Sequence, residues 1–196
     1  LAILAEAIGR CLASVPFIPV LCLAVPAIQS AGTENQRKSL LPDIAAGRTI
    51  IAAALAEGEG LAPDTVSATV VQDRLSGQKT PVSFGTEATH ALVAAKDESG
   101  TARLYLADLS ASGVTTCSLD PIDGTRPTAE ITFDNTPVEL LPGSDPATIQ
   151  RLLDGAAVLA AFEQIGIAER ALALTTAYAG ERHAFGRPIG GFQAVK

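Results

Sequence analysis

From Pro146 to Arg182 the sequence runs without a proline after its first residue and reads as one long helix. Within it, "AAVLAAFEQIGIAERALAL" spreads leucine, isoleucine and alanine over more than one face, so this helix should be buried on several sides.

What precedes it divides by periodicity. Residues 1–48 read as helical: "LAILAEAIGR", then "VPFIPVLCLAVPAI", then "GTENQRKSLLPDIAAG", where Thr33 followed by Gln36 forms a capping-box pattern. The middle run carries three prolines and is too short to span a bilayer, which makes it a buried helix or hairpin. Residues 49–143 change to short runs rich in Val, Thr, Ile and Leu, separated by turn residues. "DESG", Asp97 to Gly100, reads as a hairpin turn. This block is expected to be an antiparallel sheet or small barrel. Residues 144–196 then hold the long helix and the start of the next, giving an α+β chain.

With 196 residues and 47% hydrophobic content, the chain can bury a sizeable core. A net charge of −7 argues against a nucleic-acid surface. The three cysteines show no CxxC and no histidine at ligand spacing, so they read as reduced thiols of a cytoplasmic protein rather than zinc ligands. There is no methionine, so Leu1 is not expected to be a natural start, and the chain is expected to be a segment of something longer. Glu57, Glu59 and Glu163 read as solvated carboxylates, and His90 and His183 as surface or packing residues.

The closing stretch "YAGERHAFGRPIGGFQAVK" carries Arg182, Phe185, Gly186, Ile189, Phe192 and Gln193 in the pattern R-x-x-F-G-x-x-I-x-x-F-Q, and "GTENQ" at 32–36 precedes it in the matching order. Together they resemble the acyl-CoA dehydrogenase family. The resemblance implies an amino-terminal helical domain, a central β domain and a carboxy-terminal helix bundle, with FAD between the β domain and the bundle. It also implies α,β-dehydrogenation of acyl-CoA thioesters by a dimer or tetramer, either of one chain or with a sister chain, and no membrane span.

Carried over by position, the resemblance implies that Arg182 and Gln193 reach the pyrophosphate and adenosine end of a neighbouring subunit's FAD. Phe185 packs near that nucleotide, and Gln193 opens the next bundle helix. In "LAEGEG" the flavin-binding hydroxyl position falls on Ala56, where only backbone amides remain to donate. In "GQKTPVSFG" Ser83 keeps the second flavin hydroxyl, while Pro81 stands at the aromatic position. Asp154 falls at the aspartate that contacts CoA, Ala157 at its arginine partner, and Ala156 where a minority of the family carry the catalytic glutamate. No catalytic base is therefore assigned. Two roles stay open. One is a flavin-dependent dehydrogenase with its base elsewhere. The other is a non-catalytic subunit of a heteromeric enzyme, of the kind used in actinobacterial steroid degradation, that completes a partner's FAD site.

Overall fold

A computed structural model describes residues 1–61 and 63–195, excepting the side chain of residue 64. In chain order it contains α1 (Ala2–Cys11), a π-helix (Phe17–Ala24), α2 (Val25–Ala31), α3 (Glu34–Ala45) and β1 (Ile51–Ala54). After a 3-10 turn (Pro63–Thr65) come β2 (Thr69–Val71), β3 (Arg74–Ser83), β4 (His90–Lys96), β5 (Ala102–Asp108), β6 (Val114–Leu119) and β7 (Thr128–Leu140). The chain closes with α4 (Pro146–Glu181), the short strands β8 (His183–Ala184) and β9 (Arg187–Pro188), and a 3-10 turn (Ile189–Gly191). It divides into two units, residues 14–157 and residues 1–13 with 158–196.

In the larger unit, β5 pairs with both β7 and β4, so β4, β2, β3, β7 and β5 close on themselves as a small barrel. β1 lies outside against β4, and β6 against β7. Most pairings are antiparallel as expected, but β1 and β2 run parallel to β4. The β2–β3 hairpin explains the second case: β3 reverses the chain between β2 and β4. Alternation fills the interior with Val70, Leu75, Val82, Val93, Tyr105, Ile131 and Phe133.

The proline-bearing run is helical and buried. Pro19 and Pro26 have no amide to place in an i→i−4 ladder, and residues 17–24 take the wider π geometry before α2. Thr33 and Gln36 form a complete capping box at α3. The carboxylate of Asp145 accepts from the Thr148 amide at 2.6 Å and Pro146 takes the first helical position, which together start α4.

In the smaller unit, α1 and the second part of α4 touch backbone to backbone. A Cβ on Gly9 would stand 1.9 Å from the Glu163 carbonyl oxygen, and one on Gly166 would stand 1.9 Å from that of Glu6. Only glycine permits so close a crossing. Arg10 pairs with Glu169 at 3.6 Å across the same contact.

The expectation that α4 is buried on several sides fails over its second half. Val158, Ile165, Ile167, Leu172, Leu174 and Tyr178 are exposed, because among the described residues α1 is the long element that packs there. No helix is long and apolar enough to cross a membrane, and no group of His, Cys, Asp and Glu among the described residues could hold a metal.

Candidate functional site

The residues singled out by sequence fall into two sets, one in each unit. In the larger unit, the turn after β1 folds onto β3. The Thr80 amide donates to the Ala56 carbonyl at 3.1 Å, and the Gly58 amide donates to the Thr80 carbonyl at 2.9 Å. The structure thus brings the Ala56 turn onto the strand that carries Ser83. Val82 points into the barrel, so by strand alternation Pro81 and Ser83 share the exposed face. The Ser83 hydroxyl makes no hydrogen bond among the described residues.

The turn's own amides are mostly committed. Glu57 and Gly60 each donate to the other's carbonyl and Gly58 donates to Thr80, whereas the Ala56 amide donates to no carbonyl among the described residues. The expectation of several free donors therefore narrows to Ala56 and the exposed Glu59, whose amides make no hydrogen bond among the described residues.

Glu57 is not the solvated carboxylate expected. Its side chain is 11% exposed and pairs at 2.5 Å with Lys79, which is 0% exposed. The other carboxylate oxygen accepts from the Ser67 amide at 2.8 Å and from the Ser67 hydroxyl, and the Ala68 amide donates to the first at 3.1 Å. Burial pushes the carboxyl pKa up, but the hydrogen bonds from Lys79, Ser67 and Ala68 outweigh it and hold the pKa at about 2. Burial pulls the Lys79 pKa down, against the Glu57 carboxylate, which raises it. Glu57 is thus a fixed anion whose lone pairs are occupied, unsuited to take a proton at neutral pH. Strand alternation could have found the pair, since Lys79 continues the inward positions of β3 from Leu75, and a buried lysine requires an anion. Glu163 is also withdrawn from solvent, at 6% exposure.

Asp154 lies on the exposed face of the first turns of α4 and accepts from Gln150 at 2.8 Å. Ala156 beside it is buried.

In the smaller unit, α4 ends where the Arg182 amide donates to the Tyr178 carbonyl at 2.8 Å, and the Ile189 amide returns to the Arg182 carbonyl at 2.8 Å. Between them β8 and β9 form a two-residue hairpin whose turn is Phe185 and Gly186, both with positive φ, 52° and 79°. A type I′ turn suits Asn-Gly; a phenylalanine there costs on the order of 1–3 kcal/mol. The strained residue holds its side chain outward, 97% exposed, with its ring edge-on to Phe192 at 6.3 Å. The Arg187 guanidinium lies 4.0 Å over the Phe192 ring, a contact not foreseen from the sequence. The Arg182 side chain and the Gln193 amide group are exposed and have no hydrogen bond or ion pair among the described residues. Gln193 stands in a turn at 193–195, where the Val195 amide donates to the Phe192 carbonyl at 3.0 Å. His183 is exposed and faces the Glu181 carbonyl at 3.0 Å, and His90 is half-buried and faces the Thr89 hydroxyl at 3.0 Å.

Residues 147–196 match the family model for the acyl-CoA dehydrogenase carboxy-terminal domain. The chain is 31% identical over 198 residues to acyl-CoA dehydrogenase FadE27 of Mycobacterium tuberculosis, an alignment covering 96% of this chain and 50% of that protein. Among solved structures it is similar to the Tcur3481-Tcur3483 steroid ACAD, with 36% identity and a TM-score of 0.85 over 99% of this chain and 53% of that one. It is also similar to the ChsE4-ChsE5 complex from Mycobacterium tuberculosis, with 28% identity and a TM-score of 0.86 over 98% of this chain and 53% of that one. The chain belongs to the acyl-CoA dehydrogenase family and has its fold over the stretch it spans. That stretch is about half the length of the relatives it matches.

Proposed function

We propose that this chain acts in FAD-dependent α,β-dehydrogenation of acyl-CoA thioesters as a subunit that completes a partner's FAD site. The observation that carries this reading is the state of the closing segment. Arg182 and Gln193 are exposed, with no side-chain hydrogen bond or ion pair among the described residues, on a family-matching stretch whose turn holds Phe185 outward at positive φ.

The donor set suits the two ends of FAD unequally. A planar, permanently charged guanidinium fits a pyrophosphate, and an exposed aromatic ring beside an amide side chain fits an adenosine. At the flavin end the chain offers the Ala56 amide and the Ser83 hydroxyl, without a hydroxyl at position 56 or an aromatic face at position 81. Arg182, Gln193 and Phe185 would thus hold a neighbour's cofactor, while Ala56 and Ser83 would hold this chain's own less firmly. A bound flavin supplies the hydride acceptor of the reaction. What this chain's residues do is bind and orient. Glu57 holds no exchangeable proton at neutral pH, and no base is assigned among the described residues.

The heteromeric relatives favour a sister chain as partner, and the steroid ACAD favours a steroid acyl-CoA. Asp154 is a contact for the CoA portion. The exposed apolar residues of α4 would be covered by bundle helices in the longer protein, with the division 1–48, 49–143 and 144–196 as its domain plan. The second reading, a self-sufficient dehydrogenase, is favoured by one observation: the Ala56 amide and the Ser83 hydroxyl, without hydrogen bonds among the described residues, lie on hydrogen-bonded segments.

Arg182→Ala in the assembled protein tests the first reading. FAD occupancy should weaken by about 1.5–3 kcal/mol, the value of a lost charge-assisted contact. Unchanged occupancy would return Arg182 to a solvated helix-end cation.

A further inference from the structure

The turn at 56–60 is short of hydrophobic anchorage: Ala56, Glu57 and Gly60 are half-buried and Gly58 and Glu59 are exposed. What fastens it is polar. The Thr80 amide bonds to Ala56 and the Gly58 amide to Thr80, and the Glu57 side chain reaches past them to Lys79, which is 0% exposed, and to Ser67 and Ala68 at the entry to β2. One carboxylate therefore joins three segments: the turn, β3, and the stretch leading into β2. Among the described residues the amides of Ala56 and Glu59 make no hydrogen bond; Ala56 stands immediately before the anchored residue and its carbonyl accepts from Thr80 on β3, whereas Glu59 is exposed at the tip of the turn.

We propose that the Glu57–Lys79 ion pair is a latch that fixes the turn against β3 and so positions the Ala56 amide beside the strand carrying Ser83 for a flavin ring. Glu57 and Lys79 are positioning residues here, acting through the Ala56 backbone. The flavin half of this statement rests on the reading of Ala56 and Ser83 given above; the latch itself rests on geometry alone. A buried ion pair is a weak contributor to stability compared with an apolar pair of similar volume. Its use lies in direction: the carboxylate accepts from donors on two sides, which fixes where the turn sits as an apolar contact would not.

The test uses the protein in its native assembly and the double variant E57Q/K79M, which removes both charges, leaves one acceptor oxygen for Ser67 while giving up the bond from Ala68, and strands no buried ion. Hydrogen exchange at the Gly58 and Thr80 amides should rise about tenfold or more, with the β4–β5 amides unchanged. E57D keeps the charge but shortens the arm by one methylene, and should raise the same two amides by less. If neither variant raises exchange there, or if exchange rises equally through the sheet, the latch is overturned. Titration with free FAD, followed by the visible flavin band, reads the second half. The double variant should bind about tenfold more weakly, and unchanged affinity beside raised exchange overturns the positioning role. Failure of the unmodified assembly to bind FAD would instead overturn the flavin reading, with the exchange result still deciding the latch.

Discussion

Glu57 and Arg182 each stand beside a backbone turn that the family resemblance ties to a nucleotide, yet their surroundings are opposite. The Glu57 carboxylate receives a buried lysine, a hydroxyl and two amides, and its turn spends the amides of Glu57, Gly58 and Gly60 internally. The Arg182 side chain donates to no partner among the described residues, and the hairpin after it keeps Phe185 strained and exposed. The difference teaches how to separate scaffold from site in a chain without ligands. Where polar groups satisfy one another the side chains serve the scaffold; where an arginine and an amide have no hydrogen-bond partner among the described residues beside an exposed aromatic ring, the proposed reading assigns them to a ligand.

The strongest way to break this comparison is to unbalance the closed region. Glu57→Ala leaves Lys79 buried without its anion and should cost about 3–5 kcal/mol in urea unfolding. A loss below about 1 kcal/mol would mean that the pair is not closed as described. Acid should unbalance it too. The folded pKa of about 2 lies below the ordinary 4.5, so the stabilising contribution of Glu57 is complete above about 4.5 and is lost as pH falls toward about 2. Unfolding midpoints measured from pH 6 downward should fall through that window, and E57Q/K79M should flatten that fall.

The glycine crossing gives a smaller control, remote from either turn. Gly166→Ala forces a Cβ toward the Glu6 carbonyl oxygen and should cost about 1–3 kcal/mol in thermal unfolding. Smaller still, Thr33→Ala removes one half of the capping box and should cost about 1 kcal/mol. Arg182→Ala belongs last in stability, within about 0.5 kcal/mol, because its side chain is exposed and makes no hydrogen bond or ion pair among the described residues. An Arg182 variant that unfolds easily would show that the open region is scaffold after all.

The local features were legible in the sequence because neighbours in the chain make them. The capping box at Thr33, the Asp97 to Gly100 turn and the single helix after Asp145 follow from residues a few positions apart. The parallel placement of β1 and β2 beside β4 was not legible, since long-range pairing decides it. The Glu57–Lys79 pair was half legible: alternation along β3 places Lys79 inward with Leu75, but its anion lies on a separate segment that only the fold brings near. The β8–β9 hairpin escaped because its turn is Phe-Gly, where the usual signal is Asn-Gly. Of the candidate site, the identity of Arg182, Phe185, Gln193, Ser83, Ala56 and Asp154 came from the family pattern. Which of them are free and which are occupied came from packing.

Two visible absorption spectra decide most directly between the two roles, one of the protein purified alone and one after co-expression with a candidate sister chain of the same family. The account predicts a colourless protein alone and a bound-flavin spectrum for the pair. A stoichiometric flavin on the protein alone, with dye reduction on an acyl-CoA, would contradict it.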